Sequence, residues 1–411
     1  MAAGAAVLTC PCCSGRMKLL AWSPSRRASL TRFAIPEGGV AARHQRADRR
    51  AESDARSSTV RVGLLGYRDC MSAQMGTWAA LPGRIVDIAS TPDALVLAED
   101  RHDAGQHLRV HVGRWRDGQW AWEPPWSVGP GRGDHDLPEA AALAVVEDAN
   151  GLHVAVNRVE SQGGSYGIAL ATLALGQWID HAEFESPTDS DIPFGSPVRR
   201  RTNELFTFEA TEALWQYVRS GSHWSATSIP LPEGIQYIAA PMALSARGLL
   251  VVANEDKSSP VLLVHQRDES GLILQPRVTR LSRKVECVAF GGETLFLGFT
   301  WPDARGAAVW GLTLPLPETG ELQPPRRFNV PAPDDARHRH VSNLDASADW
   351  LLVLQNDAAW VTGLSEPTMP LRELALPTSD GTVRDPTGVI VGARAVVIVG
   401  DSFGTFPLDP R

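Results

Sequence analysis

Seven times along this chain a glycine or proline turn is followed by Trp or a bulky aliphatic residue, at a spacing that leaves room for one small sheet per interval. The markers are Gly76-Thr77-Trp78, Gly118-Gln119-Trp120, Gly176-Gln177-Trp178, Gly221-Ser222-His223-Trp224, Gly271-Leu272, Gly320-Glu321-Leu322 and a degenerate seventh near Pro367 to Leu371. Their separations are 42, 58, 45, 50, 49 and 47 residues. A period of that size marks a repeat architecture with one supersecondary unit per period.

Each period also carries an apolar strand that ends in a polar or small residue. The set reads Leu95 to Glu99, Leu152 to Asn157, Leu205 to Glu209, Leu250 to Asn254, Leu295 to Thr300, Leu351 to Gln355 and Val396 to Asp401. Four short strands per period, rich in Val, Leu, Phe and Trp and bounded by Gly, Asp and Ser turns, describe a β-propeller blade. The two ends of the chain are out of phase in a complementary way. Thr387 to Val391, Ala395 to Val399 and Phe403 to Leu408 supply strands with no Gly-Trp hairpin behind them, while Val60 to Leu65 and Trp78 to Leu81 precede any inner strand. The expected fold is therefore all-β, a seven-bladed propeller over residues 59–411 whose closing blade is shared between N- and C-terminal strands. Sharing one blade removes the open sheet edge that a linear array would leave.

Residues 1–58 read differently. They hold ten Lys and Arg against four Asp and Glu, a charge of +6 that leaves −14 on residues 59–411 of a chain whose total is −8. Low periodicity and an Ala/Arg/Ser-rich text predict a disordered basic head. Such a text is also what translation upstream of a true start would give, with Met17, Met71 or an alternative start codon as the later start. No positive segment followed by an apolar core marks a secretory signal, which leaves the compartment unassigned and cytoplasmic by default. Cys10, Cys12 and Cys13 form a Cys-Pro-Cys-Cys cluster without the second pair that a structural zinc site needs. The acidic body argues against nucleic acid as a partner, and no apolar run of 18 residues or more is present to span a bilayer.

The candidate site residues fall into two groups. Loops that lead from one blade to the next collect His135 and Asp136, His338 and His340, and Arg384, which would gather at one end of the ring around the channel. Imidazoles and carboxylates there suit a polar ligand, and no metal or other cofactor is expected because the spacing forms no ligand set. The second group lies within a single blade. The stretch from Ser196-Pro197-Val198 through Leu205 to Glu209, Leu214-Trp215-Gln216-Tyr217 and Gly221 to Trp224 resembles a repeat of the fucose-binding-lectin-like and sialidase-like propellers. That resemblance implies binding of a monosaccharide between blades, with Glu209, Trp215, Arg219 and Trp224 the positions that match in kind. Sialidase-like propellers also carry Ser-x-Asp-x-Gly-x-Thr-Trp boxes; Ser379-Asp380-Gly381-Thr382 is a compressed version, and no nucleophile can be assigned among Tyr67, Tyr166, Tyr217 and Tyr237. No catalytic residue is predicted. The expected function is non-catalytic recognition of a glycan or other small polar ligand, with a sialidase-like hydrolase and a protein-interaction scaffold as the alternatives. Trp78, Trp120, Trp178 and Trp224 occupy equivalent hairpin positions and are expected to pack one blade on the next.

Overall fold

A computed structural model describes residues 76–81, 83–101, 107–128, 140–159, 167–185, 198–201, 203–209, 213–220, 223–230, 232–233, 235, 241–245, 250–255, 260–266, 276–300, 307–314, 326–330, 341–355, 358–365, 371–377, 386–400 and 402–408. Before these it describes only short strands at residues 6–9, 16–19, 29–30 and 59–60. Contacts divide the chain into two compact units, Met1–Met71 and Ser72–Arg411. In the first, Ala6–Thr9 pairs antiparallel with Arg16–Leu19, and Ser29–Leu30 pairs in parallel with Thr59–Val60. The second is an all-β, seven-bladed propeller.

Blades one to six are consecutive in sequence, and every pairing within them is antiparallel. Blade one comprises Arg84–Ser90, Leu95–Arg101 and His107–Arg116, with a fourth strand in two pieces, Gln119–Trp122 and Trp126–Ser127. The break falls at Pro124 and Pro125, which have no amide hydrogen to give to the ladder. Blade two is Ala140–Asp148, Gly151–Val159, Gly167–Ala174 and Gln177–Glu185; blade three is Val198–Arg201, Glu204–Glu209, Ala213–Ser220 and His223–Pro230. Blades four (Met242–Leu244 to Arg277–Arg280), five (Val285–Gly291 to Arg326–Val330) and six (Val341–Ala346 to Arg372–Leu374) repeat the order. The first strands of all seven blades touch one another in a closed cycle, the seventh against the first, and so line the axis.

Blade seven takes Thr387–Val391, Arg394–Val399 and Ser402–Pro407 from the C-terminus and Thr77–Ala80 from the N-terminal side as its outermost strand. One N-terminal segment therefore closes the ring instead of the two expected. Phe403 to Pro407 already fills the third position, so only the fourth is vacant, and Thr59–Val60 pairs within the first unit. The closing contact depends on two glycines. Trp78 lies directly opposite Gly404 in the ladder, where a Cβ would come within 2.7 Å of its indole. A Cβ on Gly76 would likewise fall 2.6 Å from the Phe406 ring, and the two aromatic rings meet edge to face at 5.7 Å. Each aromatic covers the bare backbone that the other strand's glycine leaves, as in aromatic rescue of edge glycines.

Alternation along the strands gives each blade two apolar faces, and the buried clusters lie between successive blades instead of within one. Val96, Ala98, Val110 and Val112 of blade one pack with Leu152, Val154, Ala169 and Leu173 of blade two. Equivalent clusters join blades five and six, four and five, six and seven, three and four, and seven and one. Polar ties cross the same seams. Asp87 accepts the Leu143 amide and Asp345 the Ile390 amide, each at 2.6 Å. The Trp120 indole N–H donates to the Thr405 hydroxyl at 2.9 Å, and that of Trp178 to the Pro124 carbonyl at 2.7 Å. Arg114 and Thr91 of blade one both bond the Glu147 carboxylate of blade two.

Candidate functional site

Antiparallel order puts the first-to-second and third-to-fourth connections at one end of the ring, the hairpin end. The second-to-third and interblade connections lie at the other, the crossover end. Six of the seven Gly/Pro markers fall in or beside third-to-fourth connections, and Gly76 begins the closing strand. His135, Asp136, His338, His340 and Arg384 belong by chain order to interblade connections of the crossover end and lie outside the described residues.

The second group is better placed for description. In blade three the ladder sets Thr207 opposite Trp215, Leu205 opposite Tyr217, and Arg219 opposite Trp224. Because alternate residues share a face, Trp215, Tyr217, Arg219 and Trp224 all stand on one side of the sheet. That side faces blade two: Leu205 and Tyr217 pack with Ala144, Ala155, Ile168 and Leu170, and Trp215 and Trp224 close the margin of this cluster. Both tryptophans are partly buried, as is Arg219, whose amide donates to the Asn203 carbonyl at 2.9 Å. Glu209 pairs with Ala213 in the ladder; its side chain lies outside the described residues. The structure thus gathers three of the four residues on one seam, with packing as part of their role.

Comparison between blades exposes a feature that the sequence did not announce. Trp215 occupies the third-strand rung opposite the third residue of its second-strand run; His111, Trp310 and Trp360 hold the same rung in blades one, five and six. At the end of the second strand, two residues further on, stand Glu99, Phe299 and Gln355. In blade one His111 Nε2 meets Glu99 Oε2 at 2.6 Å, and in blade six the Trp360 N–H donates to Gln355 Oε1 at 3.0 Å. Blade five places Phe299 there, and the Trp310 N–H has no acceptor among the described residues although the rings touch at 4.5 Å. Blade three leaves the Trp215 Nε1–H buried and without a hydrogen-bond partner among the described residues.

On the same seam, from the blade-two side, Thr172 Oγ1 lies 2.7 Å from His153 Nδ1, and His153 Nε2 lies 3.1 Å from Asp148 Oδ1. The spacing is that of a nucleophile, base and orienting acid. Thr172 is only 4% exposed and His153 6%, so no substrate carbonyl reaches the hydroxyl, and the relay works as a packed polar strut. Burial pushes the Asp148 carboxyl up, but hydrogen bonds from the Asn150 amide and from His153 outweigh it and hold it below its usual range. Among the described residues no group of three or more His, Cys, Asp or Glu is placed to hold a metal ion, and no helix is long and apolar enough to cross a membrane.

No protein-family model and no curated protein matches the chain. Solved structures do. The β-propeller domain of Cps50 (Swd1) from Myceliophteria thermophila superposes with a TM-score of 0.55 at 11% identity, over 81% of this chain and 100% of that one. A structure described as YCF48 bound to D1 peptide gives a TM-score of 0.49 at 14% identity, over 83% and 99%. At 11% identity the likeness to the Cps50 (Swd1) domain concerns the fold alone, and the class it defines is the β-propeller.

Proposed function

We propose that this propeller is a non-catalytic recognition protein that holds a small polar ligand, a glycan in the first instance, at the seam between blades two and three. The supporting observation is the buried indole N–H of Trp215, without a partner among the described residues, on the face that also carries Arg219 and Trp224. A buried donor without an acceptor costs about 1–3 kcal/mol, and a ligand oxygen entering the seam relieves that cost. In blade six the equivalent indole N–H is satisfied internally by Gln355, whereas blades three and five leave theirs without an acceptor among the described residues, and only blade three sets Arg219 and a second tryptophan on the same face. The Asp148-His153-Thr172 relay on the same seam is closed to substrate.

A glycan array read together with a fluorogenic sialidase substrate tests this. Sugar binding that falls at least tenfold in Trp215→Phe, which removes the N–H and keeps a ring, fits the proposal; Arg219→Gln should act in the same direction. Hydrolysis that depends on His338 or Arg384 would move the site to the crossover end and make the protein an enzyme. The scaffold reading has one observation in its favour, the aliphatic side chains that blade two holds out in solvent.

A further inference from the structure

Blade two turns from its third to its fourth strand through Leu175-Gly176, with φ of 51° and 74°. Blade one makes the equivalent turn with Asp117-Gly118, at 52° and 81°. Both are two-residue hairpins with two successive positive φ angles, a geometry that Asn, Asp and Gly enter easily and leucine does not. Nothing in the fold repays the leucine for its strain: Leu175 is 104% exposed, the whole side chain standing in water. Ile179, three residues into the next strand, is 52% exposed. Strain retained at an exposed apolar tip points to a use outside the molecule.

The chemistry around the tip narrows the partner. Glu123 Oε2 lies 3.9 Å from where a Cβ on Gly176 would stand, and Asp148 is exposed at the same end of the blade. Glu147 is engaged by Arg114 and Thr91, and one oxygen of Asp148 by the Asn150 amide and His153, which leaves Glu123 and the outer side of Asp148 toward solvent. Residues 59–411 carry −14 overall, a field that disfavours a second copy and favours a cationic partner even with Arg116 exposed at the neighbouring hairpin. Branched aliphatic groups offer no flat π-face for a sugar ring, whereas they fit the apolar side chains of a protein.

We infer that the Leu175-Gly176 tip with Ile179 is a docking surface for a basic segment of another protein, one whose aliphatic side chain is flanked by Lys or Arg. Neither Leu175 nor Ile179 belongs to the cluster that holds Trp215, although Ile179, opposite Thr172 in the ladder, stands on the face that turns toward blade three; Trp215→Phe and Leu175→Asn therefore separate the two readings.

The full chain is probed with synthetic peptides bearing Leu, Ile or Met between Lys or Arg residues, and with a matched set in which Glu replaces the basic residues. The basic set should bind, and weaken at least tenfold in Leu175→Asn and in Ile179→Ser, while Trp215→Phe leaves it unchanged. Leu175→Asn should also melt at a higher temperature than the parent, because Asn enters the turn with less strain. Loss of binding in a variant that is more stable excludes misfolding as the cause. The inference is overturned by equal binding of the acidic set, by unchanged binding in Leu175→Asn, or by no peptide binding at all. Self-association in sedimentation that Leu175→Asn abolishes would name a second copy as the occupant and overturn it too. Glycan binding that depends on Trp215 would leave the seam reading intact in each of these cases.

Discussion

Two carboxyl groups on the innermost strands combine a structural bond with a charge problem. Asp87 and Asp345 each reach across a seam to a backbone amide of the next blade, and burial raises each from 3.8 to about 6 even though backbone hydrogen bonds pull the other way. In the unfolded chain both ionise near 3.8, so between that pH and about 6 the folded form holds protons that the unfolded form releases. Their contribution to stability is therefore fully present below the lower value and is lost as pH rises through the higher one. The melting temperature of the parent minus that of Asp87→Asn/Asp345→Asn should increase as pH falls from 7.5 to 5. The ideal slope is about 1.4 kcal/mol per group per pH unit, and partial exposure of both side chains reduces it. An unchanged difference across that range would show that the two groups titrate alike in both states. At this scale the sequence was least legible: neither aspartate belongs to a motif, and only the register of a bulged first strand aims Asp87 at its neighbour.

Strands and their turns were far more legible, because blade repetition writes the same period-two pattern seven times. The second strands and the turn markers could be read directly. The broken fourth strand of blade one was signalled by Pro124-Pro125 but was not drawn from it, and of the stretch from Val60 to Leu65 only Val60 lies among the described residues, paired with Leu30 in the first unit. A propensity for strand does not say which sheet has a vacancy. The candidate seam was half visible: Trp215, Arg219 and Trp224 could be named, but their common face toward blade two depends on ladder register. The closing blade gives the sharpest test of an element. Gly404→Ala places a methyl against the Trp78 indole and should cost about 1–3 kcal/mol in a urea melt. Combining it with Trp78→Leu should cost less than the sum of the two, since each change removes the other's clash or cover. Additive losses would mean that the pair does not act as a unit.

Over the whole molecule, each blade buries its apolar faces only against its neighbours, and cooperativity depends on the ring being complete. Deleting residues 387–411 removes three of the four strands of blade seven and leaves the apolar outer faces of blades six and one uncovered. That truncation should yield insoluble protein, whereas a chain beginning at residue 72 should stay soluble with an all-β circular dichroism spectrum. Limited proteolysis of the full chain should converge on a core that retains Gly76 and everything after it. Cleavage that instead stops within residues 1–58 would give the basic head a structural part in the fold.

The shared blade also sets an order for synthesis on the ribosome. The strand Thr77–Ala80 is among the first of the propeller to emerge, and its ladder partner, Ser402–Pro407, is among the last. Throughout elongation the early strand waits with Trp78 uncovered while six sheets form beside it. A nascent chain of this design carries an open edge and an unburied indole until blade seven has left the ribosome. Demand for a holdase that shields the first strand should therefore grow with elongation time and vanish once Ser402–Pro407 has emerged and paired.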